Sequence, residues 1–261
     1  MNTLRLYEEG FFVACNINGG GTGGGSGGGG GSGRGVGTVG TTWTRRTWQG
    51  NSLSSVTYGN GLFVVVGEDG IILTSPDGVS WTLRNSGTSR DIYGVVYAKG
   101  LFVAVGERGT ILISPDGVTW TERTSGKNYW LVGVTYGNGL FVAVGGSEDG
   151  STILTSPDGV SWTRRTLRGG VGLGVTYGNG LFVAVGSGGT ILTSPDGVTW
   201  TQRTSGTSYP LHDVTYGNGL FVAVGNGLFG TVGPDSIILT SPDGVNWTAR
   251  TSPRTWPVPG L

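Results

Sequence analysis

One recurring string limits what this chain can fold into more than any other feature. VTYGNGLFVAVG occurs unchanged at 134–145, 175–186 and 214–225. Related copies are VTYGNGLFVVVG at 56–67, VVYAKGLFVAVG at 95–106 and the degenerate RLYEEGFFVAC at 5–15. Related segments spaced by about 40 residues predict a repeat protein in which every copy belongs to one structural unit.

A second string follows each copy and marks the end of the unit. It is SPDGVSW, SPDGVTW or SPDGVNW in the later units, and GTVGTTW is its degenerate form in the first. The tryptophans that end these strings are Trp43, Trp81, Trp120, Trp162, Trp200 and Trp247. Six units of about 40 residues, each containing both strings, account for nearly the whole chain, which predicts a single domain of six units.

Each unit has the pattern of four short strands. L-x-x-V-T-Y alternates with period two, and the Asn-Gly after it favours a two-residue hairpin turn of the primed type. LFVAV is apolar throughout, which predicts a strand buried on both faces. TILTS is the third strand, Pro-Asp-Gly turns the chain, and V-T-W-T-x-R-T is the fourth strand.

Four antiparallel strands repeated six times predict an all-β fold, a six-bladed β-propeller with about 40 residues per blade. The single domain spans residues 1–261. The blades are expected at about 1–48, 49–86, 87–125, 126–167, 168–205 and 206–261. The Gly-rich stretch 16–35 falls between the second and third strands of blade one, so it is expected to be a native loop insertion rather than a linker between domains.

The S-x-D-G-x-x-W segments resemble the Asp-box, the repeat of bacterial sialidases and many other propellers. The resemblance implies that each segment joins the third and fourth strands of a blade, that its Ser and Asp brace the turn, and that the aromatic packs between sheets. The turn here is one residue shorter than the commonest family form, and the first unit lacks both Ser and Asp. Asp-boxes are structural, so the resemblance implies no activity.

Composition excludes several classes of function. Lys plus Arg 16 balances Asp plus Glu 16, so the chain lacks the overall positive charge of a non-specific nucleic-acid binder. The single cysteine allows no intrachain disulfide and no cysteine-based zinc site. We expect no cofactor and no metal. No apolar run approaches 18 residues, which predicts no membrane insertion, and the first residues lack the pattern of a cleavable signal peptide.

The internal copies can be compared with one another, and their differences are confined to one face. In an up-and-down blade, the loops after strands one and three lie at one end and those after strands two and four at the other. The YGNG and SPDG turns of the first end hardly vary, whereas the loops of the second end differ in every copy. This variable end is the expected binding face. Its two longest loops, 16–35 and 226–236, belong to neighbouring blades across the ring closure.

Aromatic residues of the variable loops are the candidate binding residues. Aromatic side chains within Gly-rich polar loops suit adaptable recognition of a sugar face or a protein surface. The alternative is that they pack between adjacent blades. The candidates are Trp48, Tyr93, Tyr129, Trp130, Tyr209, Phe229 and Trp256.

Other polar residues are expected to be structural. An arginine three residues after each blade tryptophan, such as Arg123, is expected to blunt the outer blade edge or pair with an acid, although sialidases use an arginine cluster. Acids of the variable loops, such as Asp69 and Asp91, are expected to be solvated; a catalytic pair or a calcium site is the alternative. The sole histidine, His212, has no convincing serine partner.

The sequence therefore predicts a non-enzymatic structural or recognition module. We expect it to bind a protein partner in a larger assembly or a cell-surface glycan through the variable face. Homo-oligomerisation through the Gly-rich loop is a further hypothesis. The chain also resembles phage tail and capsid-surface proteins in style, which implies a virion or another extracellular particle as its location, with the cytoplasm as the alternative. A soluble lectin and a sialidase-like glycosidase are the other functions considered.

Overall fold

The computed structural model describes residues 4–5, 48, 50–147, 150–165, 172–226 and 236–250. After the two-residue strand β1 (Leu4–Arg5), twenty strands form five four-stranded antiparallel blades in which neighbours in sequence are neighbours in the sheet. Sheet A contains β2 (Leu53–Gly59), β3 (Leu62–Gly67), β4 (Ile72–Ser75) and β5 (Thr82–Arg84), and sheet B contains β6 (Ile92–Ala98), β7 (Leu101–Gly106), β8 (Thr110–Ser114) and β9 (Thr121–Thr124). Sheet C contains β10 (Trp130–Gly137), β11 (Leu140–Ser147), β12 (Gly150–Ser156) and β13 (Thr163–Arg165), and sheet D contains β14 (Gly174–Gly178), β15 (Leu181–Val185), β16 (Ile191–Ser194) and β17 (Thr201–Arg203). Sheet E contains β18 (Leu211–Gly217), β19 (Leu220–Gly225), β20 (Ile237–Ser241) and β21 (Thr248–Arg250). The five sheets match the second to sixth predicted blades.

Most of the first predicted blade, with its Gly-rich insertion 16–35, lies outside the described residues. The strand β1 differs from the prediction, which made this segment the first strand of blade one. Leu4 and Arg5 instead pair antiparallel with Val56 and Ser55 of β2, as a fifth strand on the inner edge of sheet A. The physical reason is that β2 exposes unpaired backbone groups at this edge, which a short extended segment can satisfy.

The hairpins between the first and second strands form as the Asn-Gly pattern predicts. In sheet C, Asn138 and Gly139 have φ of 43° and 81°, the left-handed conformation that a primed two-residue turn requires at both positions. Tyr136 then pairs with Phe141 across the hairpin. The turn therefore fixes the register that directs each LFVAV strand into the core.

The hydrophobic core lies between adjacent sheets. Phe182 of β15 is fully buried and packs with Val142 and Ile153 of the preceding sheet. Its ring centroid lies 4.6 Å from that of Tyr177 and 6.3 Å from that of Trp200. Sheets A and B, B and C, and D and E are joined in the same way. Face-to-face packing of successive four-stranded sheets is the architecture of a β-propeller.

The SPDG turn is braced by its own Ser and Asp, as the Asp-box resemblance implies. In sheet B, Ser114 Oγ donates to Asp116 Oδ1 at 2.9 Å and accepts the N–H of Gly117 at 2.8 Å. The indole N–H of Trp120 donates to the Gly117 carbonyl at 3.0 Å. The described turns of the other sheets make the same Ser–Asp bond. The turn thus fixes the tryptophan at the boundary between two sheets.

These bonds also shift the ionisation of the turn carboxylates. The N–H groups of Thr119 and Val118 donate to Asp116, which lowers the pKa of its carboxyl to about 2 from the usual 3.8. The pKa values of Asp77 and Asp196 are lowered to about 2 by the same kind of bond, and that of Asp158 is lowered too. The turns therefore retain their charged acceptors well into the acid range.

The repeated arginine has the structural role that the sequence predicts, but its partner is a threonine rather than an acid. The Nε–H donates to a threonine hydroxyl of the neighbouring third strand, in the pairs Arg84–Thr74, Arg165–Thr155, Arg203–Thr193 and Arg250–Thr240. The donor–acceptor distances are 2.8–2.9 Å. Sheet B is the exception among the described sheets, because Ile113 stands where the others have threonine.

Candidate functional site

The variable rim comprises the loops that follow the second and fourth strands of each blade, and the structure joins these two loops within a blade. In sheet B the loop after β7 is a single 3-10 turn, Glu107–Gly109. The N–H of Gly109 donates to the carbonyl of Tyr129 in the loop after β9, at 2.5 Å. The hydroxyl of Ser125 donates to the Lys127 carbonyl at 2.9 Å. Both variable loops therefore lie at one end of the blade, as predicted.

A recurring Ser-Gly pair in these loops is not among the predicted residues, although its repetition is visible in the sequence. Ser86 and Ser205 donate to the carbonyls two residues later, as Ser125 does, at 3.1 and 3.0 Å. The glycine after each serine has a positive φ of 77–84° in sheets A and B. The pair holds the loop in place, while the residues after it differ between blades.

In four of the described sheets, the first strand has a β-bulge near the rim, which changes the direction of one side chain. The register shifts within the first strand at residues 53–55, 92–94, 131–133 and 211–213. The bulged residues are Ser54, Tyr93, Val132 and His212. Bulges near binding sites commonly redirect a side chain. The candidate Tyr93 is one of these residues and is partly buried.

Three of the predicted aromatic candidates are exposed on the rim. Trp130 is 64% exposed, Trp48 40% and Tyr209 38%. Trp130 is the first residue of β10 and pairs with Gly146, so its backbone is fixed by the sheet. Tyr209 lies two inter-blade loops further along the chain than Trp130.

Tyr129 is a correction to the predicted site. It is only 3% exposed and belongs to the core between sheets B and C, with Ile113 and Leu131. The guanidinium carbon of Arg164 lies 5.8 Å from the centre of its ring. Because neighbouring residues of an extended chain point to opposite sides, Trp130 faces solvent while Tyr129 faces the core. Packing between blades, the alternative considered for the aromatics, applies to Tyr129.

A hydrogen-bonded network joins Trp48 to Tyr93. The indole N–H of Trp48 donates to the Asn51 carbonyl at 3.2 Å, and the Asn51 amide donates to the Asp69 carboxylate. The N–H of Asp69 donates to Asp91 Oδ1 at 3.0 Å, and the Tyr93 hydroxyl donates to Asp91 Oδ2 at 3.3 Å. Burial and the Asp91 charge raise the pKa of Tyr93 to about 12. The acids therefore act here as acceptors that connect the loops of sheets A and B.

The remaining candidates give no further site. Trp256 and Phe229 lie outside the described residues. His212 Nε2 lies 2.6 Å from Asn226 Oδ1. In the part of the chain that the structure describes, no group of three His, Cys, Asp or Glu side chains could hold a metal ion. The same part contains no helix long and apolar enough to cross a membrane.

Comparisons with known proteins support the fold. No protein-family model and no curated protein matches the sequence. A solved structure of YCF48 bound to a D1 peptide is similar with TM-score 0.54 and 18% identity, covering 73% of this chain and 63% of that chain. YCF48 from Cyanidioschyzon merolae has TM-score 0.48 and 15% identity, covering 75% and 83%. The computationally designed Ika8 protein has TM-score 0.51 and 11% identity, covering 66% and 55%.

The chain is therefore an all-β propeller protein built from four-stranded repeats. This class commonly serves as a binding or structural module, with the loops of one face as the contact surface. The chain spans less than two thirds of the YCF48 chain in the peptide complex, and the identity is low. These similarities define the fold, and the function must be argued from the rim.

Proposed function

We propose that this protein is a non-enzymatic recognition module that binds a protein or glycan partner through its variable rim. The observation that supports the proposal most is the exposure of Trp130, a large aromatic side chain that is 64% exposed. Tryptophan is enriched among the interface residues that dominate binding energy. The proposal includes no catalytic step.

The setting of Trp130 favours a binding role over an accidental exposure. Its strand pairs with β11 along most of its length, and Tyr129 beside it is anchored in the core. An aromatic side chain on a fixed backbone loses little conformational entropy when it contacts a ligand. Tyr209 and Trp48 are exposed on other rim loops. The peptide complex of YCF48 supports recognition of a protein segment, since that propeller protein is bound to a peptide.

We further propose that the module acts on a virion or another extracellular particle. The support is compositional: the low charge, the single cysteine and the Gly-rich loops resemble those of phage tail and capsid-surface proteins. Immunogold labelling of purified particles from the source organism or its viruses tests this location. Label restricted to the cell interior would contradict it.

The binding proposal is tested with printed arrays of glycans and of peptides probed with the purified protein. We expect a specific set of spots that Trp130→Ala reduces by about tenfold or more, as for an interface anchor. Leu83→Ala is the matched control, because Leu83 is 60% exposed but lies on the outer strand β5. Spots that survive Trp130→Ala unchanged, or blank arrays from folded protein, would contradict recognition through the rim.

A further inference from the structure

Two open grooves of the same build lie on the rim, one at sheet B and one at sheet D. The sheet B groove is lined by Arg90, Arg108, Glu122, Arg123 and Lys127, together with small loop residues and Val160 of the next sheet. The sheet D groove is lined by the aligned loop residues 188–189 and 202–208. The two grooves can therefore be compared position by position, because the aligned loops of sheets B and D carry different side chains.

The two grooves differ mainly in charge. Four cations and one carboxylate line the groove of sheet B. In sheet D, Gly188, Gln202 and Thr207 stand at the positions of Arg108, Glu122 and Lys127, and Arg203 is the only charged lining residue. The sheet B groove thus has more positive charge than its sheet D counterpart, whose lining has one cation, in a chain whose formal net charge is zero.

The arginine common to both grooves is held differently. Arg203 donates its Nε–H to Thr193 at 2.8 Å. Arg123 has Ile113 at the corresponding position, and its Nε is buried without a hydrogen-bond partner among the described residues. A buried donor without an acceptor costs stability, so this position is not optimised for the fold. Without the hydroxyl anchor, the Arg123 guanidinium is available to turn toward the groove that it lines.

The other cations are also accessible. Arg108 and Lys127 are exposed. Arg90 lies 3.0 Å from Glu122, but the two side chains are 42% and 51% exposed, and an exposed pair of this kind exchanges readily with another carboxylate. Arg108 lies 3.4 Å from Glu107. The groove therefore keeps an excess of positive charge that solvent and ligands can reach.

We propose that the sheet B groove binds an acidic, extended peptide segment of the partner, an inference that rests on the proposed function of the rim. Guanidinium groups bind carboxylates with paired hydrogen bonds, so charge and geometry both favour acidic side chains. The groove borders β9, which pairs only with β8 among the described strands. The outer edge of β9 can hydrogen-bond an extended peptide backbone, which favours a peptide over an anionic glycan.

The test uses fluorescein-labelled hexaglutamate and fluorescence anisotropy at low salt. The double variant Arg108→Gly/Lys127→Thr gives sheet B the residues of sheet D, and Arg108 has φ 53°, which glycine adopts without strain. We expect affinity to fall by about tenfold. Ile113→Thr restores the hydroxyl partner of Arg123 and is expected to lower affinity in the same direction. Raising salt from about 0.05 M to about 0.5 M should weaken binding to the wild type strongly.

Single-charge controls show whether the groove itself is responsible. Lys99→Asn removes an exposed cation from the opposite rim and restores the Asn of the other hairpins, so it should leave hexaglutamate binding unchanged, whereas Lys127→Thr should weaken it. Equal losses in Lys99→Asn and Lys127→Thr, or no binding by the folded wild type, would overturn the proposal. So would binding of a sulfated oligosaccharide but not of hexaglutamate.

Trp130→Ala separates this proposal from the proposed function. If Trp130→Ala abolishes array binding while the groove variants retain hexaglutamate binding at wild-type strength, the rim function stands and the acidic-peptide inference fails. If the groove variants weaken hexaglutamate binding but Trp130→Ala leaves array binding unchanged, the acidic-peptide inference is supported and the proposal of binding through the aromatic rim residues fails.

Discussion

Phe182→Ala tests the packing between sheets that defines the propeller. The side chain is fully buried, contacts Val142 and Ile153 of sheet C, and has two aromatic neighbours at centroid distances of 4.6 and 6.3 Å. Truncation of such a phenylalanine removes its transfer free energy and leaves a cavity between two sheets that are each fixed by backbone ladders. We expect the free energy of unfolding to fall by about 3–5 kcal/mol.

The measurement is equilibrium urea denaturation followed by tryptophan fluorescence, with the midpoint and the slope fitted separately. Val198→Ala is the control, since Val198 lies in the SPDG turn of the same blade but is 41% exposed; it should change the unfolding free energy by no more than about 0.5 kcal/mol. A loss below about 1 kcal/mol for Phe182→Ala would show that sheets C and D do not share a close-packed core.

Two further predictions concern the turns and the sheet contacts. The Asp116 pKa is lowered to about 2, so its stabilising bonds are complete above the usual value of 3.8 and are lost as the pH falls toward 2. Asp116→Asn should therefore flatten the dependence of the unfolding free energy on pH across that window; an unchanged acid profile would contradict the bracing role. A Cβ at Gly178 would overlap the Tyr216 ring of the next sheet, whereas one at Gly217 would meet nothing among the described residues. In urea denaturation, Gly178→Ala should lower the free energy of unfolding by about 1–3 kcal/mol more than Gly217→Ala does. We expect a value near 1 kcal/mol, because sheet B accommodates an alanine, Ala98, at the position that corresponds to Gly178. Equal effects would contradict the close contact between Gly178 and the Tyr216 ring.

The repeat made the fold predictable. Each pattern occurs several times, so the hairpin at Asn138 and Gly139 and the braced turn at Asp116 could be inferred from all copies together. The five described sheets have the predicted order of four antiparallel strands. The pairing of β1 with β2 was not predictable, because two residues contain no periodic signal and their partner is chosen by which backbone edge lies within reach.

The candidate site was predictable only in part. The differences between the internal copies identify the variable rim. They do not indicate whether each aromatic side chain of the rim points to the core or to solvent. Tyr129 and Trp130 are adjacent and similar in chemistry, yet the bond from Gly109 to the Tyr129 carbonyl and the packing around Tyr129 place one inside and the other outside. The substitution of Ile113 in TILIS for the threonine of TILTS was visible in the sequence. Its consequence, the loss of a hydrogen-bond acceptor for Arg123, follows only from the Arg–Thr bonds of the other sheets, which the structure shows.

The most direct test of the account is hydrogen–deuterium exchange of the protein alone and with the tightest ligand found on the arrays. We expect slower exchange on binding in the rim loops 125–130 and 204–210, with little change in the hairpin turns 98–100 and 137–139 of the opposite rim. Protection confined to the opposite rim, with the loops around Trp130 unchanged, would contradict the claim that the variable rim is the binding surface.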